Sequence, residues 1–218
     1  MLILIVVLFL SYIIGSIPTS IIVSRLFYHT DIREYGSKNA GATNVFRTFG
    51  WKPALTVMLV DVLKGWFPAW YVGTHTIEGI ALSGNVDALM IMAGFAAVLG
   101  HTYTVFARFK GGKGVGTAAG MLIALFPVAL PICLAVFILT LLFSGMVSLG
   151  SMLAALTLPI VLILMIFLAG YSVSQTLMIF SLLIPLFIIF THRSNVGRIL
   201  AGTENRFEKA MIFRKKKP

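Results

Sequence analysis

The groups in this chain that could bind or move charge gather in three short polar stretches. The first runs Asp-Ile-Arg-Glu-Tyr-Gly-Ser-Lys-Asn-Ala-Gly-Ala-Thr-Asn-Val-Phe-Arg from Asp31 to Arg47. Gly36, Gly41 and Ala42 let backbone N–H groups turn inward, and Ser37, Asn39, Thr43 and Asn44 add neutral donors, a set suited to an anion. Arg47 can fork onto phosphate oxygens. The plainer alternative is an inter-helix loop in which Thr43 or Asn44 caps the next helix.

The second stretch, Phe109-Lys-Gly-Gly-Lys-Gly-Val-Gly-Thr117, is sharper. Gly111, Gly112, Gly114 and Gly116 free the backbone for an anion cradle at the start of a helix, where the dipole also favours negative charge. Lys113 sits at its centre. The string looks superficially like a nucleotide phosphate loop, but Gly114 follows the lysine where Ser or Thr belongs. Nucleotide hydrolysis is therefore disfavoured, and the alternative is a basic turn resting on anionic lipid. The third stretch runs from His192 to Asn205. His192, Asn195 and Arg198 recur at helical spacing and can share one face, either as donors to a substrate or as part of a juxtamembrane amphipathic segment.

Two further features are given structural readings. Asp61 lies three residues before Lys64 in an apolar stretch, a spacing that lets two costly intramembrane charges neutralise each other. His29, His75 and His101 are read as helix-end hydrogen-bonding groups with no assigned role.

Positioning these groups falls to an apolar scaffold. Of 218 residues, 59% are hydrophobic and 11% charged, against roughly 25% charged in average globular usage. The chain is thus expected to be an all-α polytopic membrane protein. Its single cysteine, Cys133, lies in an apolar run, which excludes a disulfide framework and a cysteine-ligated metal site. No cofactor, metal, nucleic acid or obligate protein partner is expected. The apolar start, without a basic leader region, makes Met1 onward the first span.

All 17 Lys and Arg fall within Arg25 to Lys64, Arg108 to Lys113 and Arg193 to Lys217. Thr74 to Asp87 and Gly114 to His192 contain none, so the basic blocks face the cytoplasm and the uncharged turns face outward. With about 20 apolar residues per crossing, the spans are Leu2 to Phe27, Lys52 to Gly73 and Val86 to Phe106. Four more follow between Gly114 and His192, broken near Phe126-Pro127, Ser144 to Gly150 and Ala169 to Gln175. Seven helices result, N-out and C-in, with five as the rival count. Gly114 to Phe126 is short for a crossing and reads as a loop-capped half helix. The whole of 1–218 is read as a single membrane domain with cytoplasmic blocks at about 28–50, 107–117 and 192–218, the last ending in a headgroup-seeking tail, Arg214 to Pro218.

The three blocks resemble those of the bacterial membrane acyl-phosphate:glycerol-3-phosphate acyltransferases. The resemblance covers essentially the whole chain. It rests on Gly36-Ser37 with Gly41-Ala-Thr-Asn44, on Gly111-Gly-Lys-Gly-Val-Gly-Thr117, and on His192 with Asn195, Arg198, Gly202 and Glu204. It implies a seven-helix protein of the bacterial inner membrane with its active site toward the cytoplasm. Such a protein moves a fatty acyl group from acyl phosphate to glycerol 3-phosphate, giving lysophosphatidic acid and phosphate, the first acylation of phospholipid synthesis. It further implies a central role for Ser37, Lys113, His192 and Asn195. Substrate binding would fall to Arg47, Asn39, Thr43, Asn44, Gly111, Gly112, Gly114, Thr117 and Arg198, with Glu204 structural.

The His-x4-Asp pair of other glycerolipid acyltransferases is missing, since His75, His101 and His192 are followed at that offset by Ile80, Phe106 and Gly197, and His29 by Glu34, a near miss that is discounted. The competing class is a transporter or flippase for a phosphorylated metabolite. Such proteins commonly place sites near the bilayer midplane between inverted repeats. Here the cations lie at one face and no repeat is visible. A lipid-packing scaffold leaves the four-glycine loop unexplained. The enzyme reading requires the first and second blocks to lie side by side.

Overall fold

A computed structural model describes residues 2–75, 85–208, 211 and 212. Every regular element among them is helical. The outward turn expected at Thr74 to Asp87 lies largely outside the described residues, and the tail Arg214 to Pro218 wholly so. Packing divides the chain into two compact units, Met1–Phe126 and Pro127–Pro218.

The first unit holds α1 (Leu2–Ser16), α2 (Thr19–Tyr28), α3 (Ala42–Phe49), α4 (Trp51–Thr74), α5 (Val86–Thr102) and α6 (Val115–Leu125). The first expected span is interrupted at Ile17-Pro18, because proline has no N–H to donate into a helical ladder. Thr19 N–H turns back to the Ile17 carbonyl at 2.9 Å, and α2 starts on the Pro18 carbonyl. Small residues let the helices approach closely, as membrane packing requires in the absence of a hydrophobic driving force. A Cβ at Gly15 would meet the Ala97 backbone of α5, and one at Gly65 the Thr117 carbonyl of α6. Gly120 of α6 approaches the Val62 carbonyl of α4 in the same way. Toward the polar loops a cluster of Ile21, Ile32, Val45, Val57 and Ala107 ties α2, α3 and α4 to both polar blocks. At the other end of α4, Trp66 and Trp70 stack at 5.0 Å and Tyr71 and His75 at 4.3 Å, the aromatic composition of a membrane interface.

The second unit holds α7 (Leu130–Ser144), α8 (Val147–Ala169), α9 (Gln175–Thr191) and α10 (Arg193–Leu200). The chain then returns to the α7–α8 turn, where Phe207 N–H donates to the Gly145 carbonyl at 2.8 Å. Among the described residues three segments are long and apolar enough to cross a bilayer: Leu2–Tyr28, Val86–Ala107 and Val147–Ala169. A fourth arises if α9 and α10, bent by 66°, count as one. At 11 residues α6 spans about 16 Å, half a bilayer core, as its sequence implied.

Candidate active site

The first block is held in shape by one asparagine. Asn44 is 1% exposed; its Nδ2 donates to the carbonyls of Ile32 (3.0 Å) and Tyr35 (2.9 Å), and its Oδ1 accepts the Ser37 N–H at 2.8 Å. Both ends of the amide thus serve the loop, so Asn44 sets the path through half-buried Ser37 rather than offering a donor outward. Gly36 must be glycine: its φ is +55°, and a Cβ would run into Asn44 Oδ1. Upstream, Asp31 accepts from Arg33 and Arg25. Hydrogen bonds from Arg33 first, then from Arg25, hold its carboxyl well below the usual carboxylate range against the opposing effect of burial. Asn39, Thr43 and Arg47 are half-buried around α3.

The second block departs from expectation at two glycines. Gly111 N–H donates to the Thr102 carbonyl and Gly112 N–H to the His101 carbonyl, both at 3.1 Å. These N–H groups satisfy the open end of α5 and are not the anion donors foreseen for them. The glycines are needed for close approach instead, since a Cβ at Gly111 would strike the His101 carbonyl and one at Gly112 the His101 ring. Lys113 follows, then Gly114 at φ +81°, which turns the chain into α6. The first N–H groups of that helix have no partner within it. Thr117, expected to touch substrate, is fully buried where α6 meets Gly65.

The two blocks meet. Ala40 of the first and Gly111 and Gly112 of the second line one small pocket. The Ala40 carbonyl stands 2.9 Å from where a Cβ on Gly112 would be. Asp61, Lys64 and His101 line the same cavity. Lys64 Nζ is 2.7 Å from Asp61 Oδ1 and donates at 2.9 Å to the Ile17 carbonyl, which also accepts the Thr19 N–H at the α1–α2 break. His101 Nδ1 lies 3.5 Å from the same Asp61 oxygen. The i, i+3 pair forms as the spacing implied. What the sequence did not reveal is that it faces a polar cavity with His101 beside it. Charge inside an apolar span was the available signal for Asp61 and Lys64. His101 has no local signal, because its partner is forty residues away.

The third block forms its own constellation within the second unit. His192 ends α9, and its Nδ1 lies 2.8 Å from the Ile188 carbonyl. A carbonyl only accepts, so Nδ1 carries the hydrogen in this contact. Glu204 gathers the rest: Oε1 accepts from Asn195 Nδ2 (2.7 Å) and Ser148 Oγ (2.8 Å), and Oε2 from Arg198 Nε (2.8 Å). Burial pushes the Glu204 carboxyl up, but the three donors outweigh it and leave it below its ordinary value.

A carboxylate lowered in the folded state stabilises above its unfolded value, about 4.3, and loses that contribution as pH falls through its folded value. Glu204→Gln is therefore expected to lower the melting temperature at pH 7, with the gap to the parent narrowing as pH falls below about 4. Melting curves of the two proteins across that range check this. A gap independent of pH would mean that the carboxylate charge is immaterial.

With this geometry in place, comparison with known proteins is informative. A family model described as "Glycerol-3-phosphate acyltransferase" matches residues 5–202. A glycerol-3-phosphate acyltransferase of Chlorobium chlorochromatii (strain CaD3) is 44% identical over 229 aligned positions, covering 94% of this chain and 97% of the relative. One from Chlorobium phaeovibrioides (strain DSM 265 / 1930) is 45% identical, covering 99% of each chain. Among solved structures, the glycerol 3-phosphate form of PlsY (YgiH), an integral membrane glycerol 3-phosphate acyltransferase, matches with TM-score 0.78 at 35% identity. Its lysophosphatidic acid form matches with TM-score 0.76 at 34% identity, and both alignments cover 94% of this chain and 95% of the other.

Proposed function

The chain belongs to the glycerol-3-phosphate acyltransferase family, and from that premise we propose how its two meeting blocks carry out the reaction. The protein is an acyltransferase that esterifies glycerol 3-phosphate to lysophosphatidic acid. The donor is an acyl phosphate, a mixed anhydride whose leaving group needs no covalent activation by the enzyme. A glycerol hydroxyl oxygen attacks the acyl carbon, and the bond from that carbon to the phosphate oxygen breaks. The hydroxyl proton ends on a phosphate oxygen, so the leaving group departs as hydrogen phosphate and no external base is consumed.

Lys113 and Arg47 offset the negative charge of the two phosphates and of the departing one. Ser37 donates to the substrates from the loop that Asn44 fixes, with Asn39, Thr43 and the Gly114 turn shaping the pocket. In the second unit Glu204 holds Asn195 and Arg198, candidate substrate-orienting residues together with His192, in position. Holding both phosphates close together contributes on the order of several kcal/mol through proximity. The chain crosses the bacterial cytoplasmic membrane seven times, N-terminus out, with the basic blocks and active site toward the cytoplasm.

The observation that carries this reading is the contact between the blocks at Ala40 and Gly112, about seventy residues apart in sequence. Detergent-purified protein supplied with acyl phosphate and glycerol 3-phosphate is expected to release phosphate and lysophosphatidic acid in equal amounts. Binding of glycerol 3-phosphate without turnover would favour a transporter. Turnover with acyl thioesters alone would displace acyl phosphate as donor.

A further inference from the structure

His101 touches three things of different kinds. Its Nδ1 faces the carboxylate of Asp61 at 3.5 Å. Its carbonyl accepts the Gly112 N–H at 3.1 Å. Its ring occupies the space into which any side chain at position 112 would grow, with Nε2 the nearest atom. Asp61 is held in turn by Lys64, whose ammonium also grips the Ile17 carbonyl at the break between α1 and α2. All three residues are buried, at 4% exposure for Asp61, 5% for Lys64 and 7% for His101. A continuous line of contacts thus runs from the Pro18 break through α4 and α5 to the residue immediately before Lys113.

We propose that His101, anchored by the Asp61–Lys64 pair, is a positioning residue for the loop that carries Lys113. The inference rests on the reading of that loop as a phosphate site. Its physical basis is the loop's composition. Four glycines in six positions leave the backbone free to take many paths, so one path must be imposed from outside. The end of α5 imposes it through the His101 carbonyl and ring on one side, and the Ala40 carbonyl bounds Gly112 on the other. A displacement of about 1 Å in such a group can cost on the order of a hundredfold in rate. His101 acts through the loop and need not touch a reacting atom.

The test measures KM for acyl phosphate and for glycerol 3-phosphate separately, on full-length enzyme in detergent, for Lys113→Ala, His101→Leu and His101→Asn. Lys113→Ala identifies which substrate's phosphate the loop holds, by a KM rise of about tenfold or more for that substrate. His101→Leu is expected to raise KM for the same substrate by a similar factor and to leave the other within about twofold. His101→Asn keeps a donor facing Asp61 and is expected to recover most of the loss. A leucine variant that is merely less abundant or slower, with both KM values unchanged, would reduce His101 to a structural role and overturn the proposal. A rise confined to the other substrate would do the same.

If His101→Leu does not fold, Gly112→Ala disturbs the same contact from the loop side and is read identically. If Lys113→Ala raises neither KM, the phosphate reading of the loop fails and takes this proposal with it. If it raises one and the His101 variants do not, the positioning role alone fails.

Discussion

Asp61→Asn is expected to lower the melting temperature of the detergent-solubilised protein by on the order of 10 °C. The side chains of Asp61 and Lys64 are 6% and 4% exposed, so the pair is almost wholly out of solvent. Removing the carboxylate charge leaves the Lys64 ammonium with the Ile17 carbonyl and a neutral amide in place of its counter-charge. Breaking a buried ion pair from one side typically costs about 3–5 kcal/mol. For a chain of this size each kcal/mol corresponds to roughly 2–4 °C.

Replacing both members behaves differently, because apolar or neutral pairs of similar volume are often tolerated where half a pair is not. Asp61→Asn combined with Lys64→Met is therefore expected to melt within a few degrees of the parent. It should remain catalytically impaired, since the anchor of His101 is gone. Thermal unfolding of the single and double variants decides the matter: a single variant as stable as the parent would show that the pair carries no buried charge.

Lys113→Ala is expected to reduce kcat/KM by about a hundred- to a thousandfold, the range seen when a preorganised group facing developing negative charge is removed. With an acyl phosphate donor, negative charge builds on the departing phosphate as the anhydride bond breaks. A cation held by a fixed loop therefore does more in the transition state than in either substrate complex. Lys110 supplies the control. It lies in the same basic stretch but is exposed, two residues before the Gly112 contact. Lys110→Ala is expected to lose no more than about threefold. Equal losses at the two positions would mean that the stretch works as a general basic patch against anionic lipid, and the specific cradle would have to be abandoned.

The helices were largely legible because their signals are local. Apolar runs of crossing length, Pro127 and the polar turns at 144–150 and 169–175 set where helices end, and the bounds of α7, α8 and α9 fall at those marks, whereas the break at Pro18 went unread within the first span. Shortness alone predicted that α6 would be half a span. The ion pair was legible for the same reason: three residues on a helix is a fixed geometry. The loops were harder. From composition Asn44, Gly111 and Gly112 looked like groups facing a ligand. The structure engages the Asn44 amide inside the first block and the two glycine N–H groups on the end of α5. An amide or an N–H in a loop has no period that says which way it points. Its direction follows from which buried acceptors would otherwise go unpaired.

Taken alone, the sequence determined that this is a helical membrane chain, that its polar and basic residues gather in three blocks, and that Asp61 and Lys64 would find each other. Each of these depends on residues within a turn or a span of one another. The tertiary structure alone decided that Ala40 comes up against Gly112, that His101 stands beside Asp61, and that Ile17 is the carbonyl Lys64 reaches. Those meetings are created where small residues let whole helices close on one another, Gly65 on Thr117 and Gly15 on Ala97. Contact between distant segments is a property of how faces fit, and hydropathy and spacing along one helix carry no record of it.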